Sequence, residues 1–334
     1  MIPATPIAAQ PPDWRRLWRE AVRDPLELLA LVGLPDLAGS LAGAAAARFP
    51  LRVPRGFVGR MRRGDPADPL LRQVLPLDAE DRPVPGFSLD AVGDQASRVA
   101  SGVLHKYAGR TLLVATGSCA VHCRYCFRRH FPYAEESAAA GRWEPALAQV
   151  AADASIRELI LSGGDPLSLS NERLAELLER LPGIAHLRTL RIHTRLPVVL
   201  PERIDAGLCE LLRRSPLRIV VVVHANHGNE IDADVATAFG RIRGSGATLL
   251  NQSVLLRGVN DDADTLAELS ERLFDAGALP YYLHQLDRVA GVAHFEVDDR
   301  RARALAESLR GRLPGYLVPR LVREVPGDIG KQPL

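Results

Sequence analysis

The sequence predicts an α/β protein: a partial parallel barrel of six β/α units, preceded by a helical N-terminal extension. Three observations carry that expectation. Between Thr111 and Arg312, short apolar segments alternate six times with amphipathic ones, the pattern of β-then-α units around a parallel sheet. The run Ile219-Val-Val-Val-Val223 is apolar at every position, as in a strand covered on both faces. Each predicted strand ends in a polar cluster, and parallel α/β barrels gather their active sites at strand C-termini. The chain has 334 residues, 47% of them apolar, enough for one large core. An eight-strand barrel would need more length than remains after the extension.

Taken in order, residues 1–100 form the extension. A helix is predicted from near Asp13 to Val32, ended by the Gly33-Leu-Pro35 break. A Pro-, Arg-, Gly- and Asp-rich stretch follows to about residue 90, and this region is expected to cover the main domain rather than carry chemistry. The barrel spans 101–315. Its predicted strands are Thr111–Ala115, Glu158–Leu161, Leu187–Ile192, Arg218–Val223, Thr248–Leu255 and Tyr281–His284. The helices between them are predicted over Trp143–Asp153, Asn171–Leu181, Pro201–Arg214, Asp232–Gly244, Asp262–Ala276 and Asp298–Arg312. A C-terminal segment, 316–334, completes the chain.

Composition excludes several classes. With 42 basic and 40 acidic residues, net charge is only +2, giving no broad footprint for nucleic acid or an anionic membrane. The stretch Trp14–Arg23 mixes charge with apolar residues, so it is not a secretory signal, and no run is long enough to span a bilayer. A cytoplasmic protein is expected. Of the 42 basic residues, 40 are arginine; only Lys106 and Lys331 are lysine. GC-rich coding accounts for the bias, but an amine can lose its proton and form an imine, which a guanidinium cannot.

Cys119, Cys123 and Cys126 form a CxxxCxxC loop directly after the first predicted strand. Three thiolates at this spacing can wrap an iron–sulfur cubane and leave one iron open. The alternative is structural zinc completed by His122 or His130 in a non-catalytic binding protein. Cys209 falls in a predicted helix and reads as a buried apolar residue. After the second strand, Ser162-Gly163-Gly164-Asp165 offers backbone that a ligand can approach and an acid that can meet an ammonium.

These two motifs together resemble the radical S-adenosylmethionine superfamily. The resemblance implies a TIM-like partial barrel of that type, with a 4Fe–4S cluster on the three cysteines and S-adenosylmethionine on its open iron. It also implies that the glycine turn holds the cofactor's amino group. Asn251, Gln252, His224 and His193 fall at the same mouth and are further candidates for contact with it.

A narrower resemblance covers about His105 to Lys331. It is carried by Cys119–Tyr133, Leu161–Pro166, Thr194–Pro201, Asn251–Asp261, Tyr281–Asp287 with His294-Phe295, and the C-terminal Gly330-Lys331. On these residues the chain resembles the lysine 2,3-aminomutase family, including members linked to β-lysylation of elongation factor P. The resemblance implies pyridoxal phosphate held as a Schiff base on Lys331, with Lys106, Tyr107 and Arg110 contacting that cofactor. It assigns Arg128 to the substrate α-carboxylate, and Asp287 and Glu324 to the distal ammonium of L-lysine. Glu324 stands where the free-lysine enzymes carry aspartate, as in the elongation-factor-linked members.

The implied reaction moves the amino group of L-lysine from the α to the β carbon. The implied partners are the small-molecule substrate, an electron donor such as a flavodoxin or ferredoxin, and a separate ligase that attaches β-lysine to elongation factor P. A homo-oligomer is compatible with the same resemblance. The alternatives within enzymes are a free-lysine or glutamate 2,3-aminomutase of another pathway.

Overall fold

A computed structural model describes residues 13–133, 136–138 and 143–334. Its described residues contain one sheet of ten strands whose spatial order follows the chain: β1 (Arg98–Ala100), β2 (Val103–Tyr107), β3 (Arg110–Thr116), β4 (Glu158–Gly163), β5 (Thr189–Thr194), β6 (Arg218–Val223), β7 (Thr248–Val254), β8 (Leu279–His284), β9 (Arg320–Arg323) and β10 (Gln332–Pro333). β3 to β9 run parallel; β1, β2 and β10 are antiparallel to their neighbours. The six predicted β/α units are present within one or two residues at most strand ends. The sheet is larger than expected, because β9 adds a seventh parallel strand and the others extend both edges.

Five of the six helices that follow β3 to β8 start at a side-chain cap. Ser170, Asp205, Asp232, Asp262 and Asp298 each accept a backbone N–H from the first turn of 171–178, 206–214, 233–244, 263–275 and 299–312. Each such cap contributes about 1 kcal/mol and fixes where a helix begins. Asp205 thereby corrects the expectation of one helix over 201–214: a 3₁₀ turn, Pro201–Arg203, precedes the capped helix. These helices bury Leu174, Leu177, Leu208, Leu212, Phe239 and Ile242 in one core with Leu159, Leu161, Leu190, Ile192, Val221 and Val223 of the sheet.

The predicted helix over 13–32 is two helices, Trp14–Arg19 and Pro25–Val32. Pro25 cannot donate to a preceding turn, and Asp24 caps the new start at Leu26 N. Val22, between them, forms a bridge with Val53. Leu28, Leu29, Phe57, Leu70 and Leu71 of the extension join the same core as the barrel.

Lys106 and Tyr107, predicted as a lead-in to the first parallel strand, stand on β2. A tight turn at Ala108-Gly109 pairs Tyr107 with Arg110, and Gly109 sits at φ +75°, where a side chain would be strained. Residues 316–334 supply β9 and β10 to the same sheet. The two edges meet through side chains: Tyr107 and Lys106 of β2 both reach Glu324, between β9 and β10. That contact brings Lys331 into the barrel mouth.

Candidate active site

A cavity of about 510 Å³ opens at the C-terminal ends of the parallel strands. That is within the range of small-molecule sites. It is lined by Cys119, Cys123 and Cys126 after β3, Ser162–Asp165 at β4, His193–Arg195 at β5 and His224 after β6. Gln252 on β7, His284 and Asp287 at β8, and Glu324 and Lys331 after β9 complete it.

The three cysteines lie on one loop and none is in a disulfide. Burial and the neighbouring thiols push Cys119 well up and Cys126 to about 11. His122 and His130, the zinc alternatives, each spend a ring nitrogen on a backbone carbonyl: Pro50 O at 2.7 Å and Ala290 O at 3.0 Å. Among the described residues no three His, Cys, Asp or Glu side chains group as ligands of a single metal ion. A cubane does not ask for that, since each thiolate serves its own iron. The extension grips this loop. Arg52 donates to Cys119 O at 3.1 Å, His122 N donates to Arg52 O, and Arg124 N donates to Gln73 O.

At the glycine turn, Gly163 has φ +117°, and a Cβ at Gly164 would lie 2.5 Å from Ser118 O in the cysteine loop. The glycines let two loops touch, a demand of packing before any ligand enters. Asp165 lines the cavity and is also held by the protein. Its carboxylate accepts from Leu167 N, Thr194 Oγ1, Arg195 N and Leu196 N, so it pins β5 to the turn after β4. Burial still raises it to about 6 against those four donors.

From this turn a line of charged contacts crosses the cavity. Arg128 donates to Ser162 Oγ at 2.9 Å and to Asp94 Oδ2 at 2.6 Å. Lys106 Nζ lies 2.7 Å from Asp94 Oδ1 and 3.6 Å from Glu324 Oε1. Glu324 accepts from Tyr107 Oη and from Lys331 Nζ, both at 2.5 Å. Burial opposes the Glu324 charge, yet Lys331, Tyr107 and Lys106 hold it below the usual carboxylate range. Asp287 is in the opposite position: burial pushes it up to about 7, with Glu324 adding to the rise and Lys331 opposing it. Arg110 lies over the Tyr107 ring, 4.6 Å from its centroid.

The predicted polar residues divide. His193, His224 and His284 keep buried Nε2 atoms without a protein partner, and burial lowers all three, His224 to about 3. They are neutral and available to a ligand. Gln252 lines the cavity, but Asn251 does not; its amide accepts Ala225 N and donates to Ala225 O, locking β6 to β7. Cys209 is buried in its helix, outside the cavity. Sequence reasoning missed Asp94, which sits in the irregular extension with no period to read. It placed Arg195 in the polar cluster after the third predicted strand, at the mouth, without giving it a role.

A model described as a 4Fe-4S single cluster domain matches residues 108–190, which include the three cysteines. The chain is 51% identical over 323 residues to an L-lysine 2,3-aminomutase of Escherichia coli strain K12, covering 96% of this chain and 94% of that one. It is 45% identical over 331 residues to an L-lysine 2,3-aminomutase of Haemophilus influenzae, covering 99% and 98%. Among solved structures it resembles Streptococcus suis SuiB bound to S-adenosylmethionine, at 14% identity and a TM-score of 0.48, covering 66% of this chain and 51% of that one. The chain belongs to the lysine 2,3-aminomutase family of isomerases, and its residues 108–190 form a 4Fe–4S single-cluster domain.

Proposed function

We propose that the protein converts L-lysine to β-lysine by 2,3-amino migration with pyridoxal phosphate as a further cofactor, supplying β-lysine for attachment to elongation factor P. The observation that carries this reading is that one cavity holds three free thiols and an amine, Lys331, flanked by two carboxylates. Cys119, Cys123 and Cys126 are the cluster ligands in this reading. The residues present fit a phosphate-bearing aldehyde: Lys331 and Lys106 are amines, Arg110 and Arg191 are cations, and Tyr107 offers a phenol, all lining the cavity.

When bound, the cluster and S-adenosylmethionine supply a hydrogen-abstracting radical, and pyridoxal phosphate supplies a carbonyl that delocalises the substrate radical. The chain itself positions and excludes. Arg128, fixed by Asp94 and Ser162, presents a guanidinium suited to an α-carboxylate. Asp287 and Glu324 present paired anions for a buried distal ammonium, which a single carboxylate would compensate less well. Lys331 offers an amine that arginine could not replace. The neutral histidines and Gln252 line the cavity where the adenosyl group is placed by this reading. Glu324, one methylene longer than the aspartate of the free-lysine enzymes, supports the elongation factor P assignment. A one-electron donor of the flavodoxin or ferredoxin type would reduce the cluster.

The test is anaerobic turnover of L-lysine against L-glutamate, with iron and pyridoxal content measured on the same preparation. β-Lysine formation with about four irons per chain and a pyridoxal absorbance lost in Lys331→Ala is the expected result. Turnover of glutamate alone would remove the roles of Asp287 and Glu324.

A further inference from the structure

Arg195 follows β5 and is 7% exposed. Its NH1 donates to Cys123 Sγ at 2.6 Å, and its NH2 donates to Gln73 Oε1 at 2.7 Å and Glu230 Oε2 at 2.9 Å. The guanidinium carbon also lies 5.5 Å from the Tyr125 ring centroid and 5.7 Å from that of Phe57. Taking such a group out of water costs several kcal/mol unless partners compensate it. Both terminal nitrogens are paired, while the buried Nε has no partner among the described residues. Glu230, fully buried, is fixed by Asn226 N, His227 N and Gln73 Nε2, so its charge cannot swing away. Gln73 belongs to the N-terminal extension, and its carbonyl also accepts Arg124 N from the cysteine loop.

The placement is asymmetric. The positive edge of the guanidinium touches the sulfur, while its counter-charge sits on the other nitrogen, with the width of the group between. We propose that Arg195 tunes the reduction potential of the cluster through Cys123, held in register by Glu230 and by Gln73 of the extension. Arg195 is a positioning and electrostatic residue here and need not touch substrate. A cubane on three thiolates gains one negative charge on reduction. A hydrogen bond to a ligating sulfur and a nearby cation favour the more negative state, so they raise the potential. Glu230 acts with the opposite sign. Residues 1–100 thereby contribute to the redox site and do more than cover the barrel. This inference needs the cluster and not the choice of amino-acid substrate.

The test is the midpoint potential of the reconstituted protein, measured by anaerobic titration with electron paramagnetic resonance detection, beside iron content. Arg195→Gln is expected to lower the potential by about 59 mV, equivalent to tenfold in the reduction equilibrium. Glu230→Gln is expected to raise it, because the guanidinium then faces the cluster uncompensated. Arg195→Lys keeps the charge and is expected to fall between wild type and Arg195→Gln. An iron-replete Arg195→Gln with unchanged potential would overturn the proposal, as would both variants shifting the same way. If Arg195→Gln fails to hold about four irons, Glu230→Gln decides alone: a rise supports the proposal and no rise overturns it. Lysine turnover is not part of the readout, so failure of the substrate assignment would leave this result standing.

Discussion

One carboxylate joins the two chemistries proposed for Lys331 and for the substrate: Glu324 Oε2 lies 2.5 Å from Lys331 Nζ, and its other oxygen accepts the Tyr107 hydroxyl. The acid proposed to meet the substrate ammonium is thus paired with Lys331 in the cofactor-free protein. In the proposed reading, pyridoxal phosphate would take up Lys331 and leave Glu324 to the substrate ammonium, an exchange that would keep the buried carboxylate compensated.

From that exchange, Lys331→Ala and Glu324→Gln are expected to differ in kind. Lys331→Ala removes the amine and with it the pyridoxal absorbance and all turnover. Glu324→Gln retains the absorbance but raises KM for lysine by about 10- to 100-fold, the loss of one charge-assisted hydrogen bond of about 1.5–3 kcal/mol. Absorbance spectra and steady-state kinetics on the two variants separate the roles.

Asp287 gives a pH signature. Burial raises its carboxyl to about 7, and only the ionised form can pair with an ammonium. Because the group is protonated below that value, kcat/KM for lysine is expected to fall about tenfold per pH unit below about 7 and to level off above it. Asp287→Asn, neutral at every pH, should show low activity without that limb. An unchanged limb in Asp287→Asn would assign the titration to another group.

Much of this was legible in the sequence, for identifiable reasons. The parallel strands announce themselves by apolar runs buried on both faces, and the helices by Asp and Ser caps, so both types of element were found close to their bounds. The edge strands did not. β2 carries His105-Lys106-Tyr107 in a row, and β10 has only two residues, so neither shows a period. Without them, the meeting of Lys106 and Tyr107 with Glu324 across the sheet's two ends was invisible. Asp94 was missed, and Arg195 was placed at the mouth without a role, because their meaning lies in partners more than 30 residues away, Arg128 for one and Cys123 for the other. Asn251 was assigned to ligand by position, where the backbone of Ala225 had already claimed it.

The glycine turn yields a third prediction. A Cβ on Gly164 would stand 2.5 Å from Ser118 O and 2.7 Å from Gly117 C, both backbone atoms of the strand-to-cluster connection. Neither atom can rotate away as a side chain would. Gly164→Ala is therefore expected to displace the loop that carries Cys119, giving a protein that folds but holds well under four irons per chain. Iron analysis beside far-UV circular dichroism checks it. Gly183→Ala, where a Cβ would meet nothing within 4 Å, should keep its iron.

The extension's grip on the cysteine loop has a cost that can be measured without any cofactor. Glu80, from the 3₁₀ turn 78–81, is enclosed by Arg124, which donates to both its oxygens at 2.8 and 2.5 Å, and by Arg129 at 2.6 Å. All three side chains are essentially inaccessible to water. Removing the acid strands two buried guanidinium groups, and breaking a buried pair in this way typically costs about 3–5 kcal/mol. Glu80→Ala is expected to lose that much in urea unfolding of the cluster-free protein. The contrast is Glu210→Ala, which breaks the exposed pairs of Glu210 with Arg213 and Arg214 and should cost at most about 1 kcal/mol. Measuring the cluster-free state keeps iron loss out of the comparison, so a small effect in Glu80→Ala would mean that water reaches the stranded arginines and the loop is held by the core beneath it.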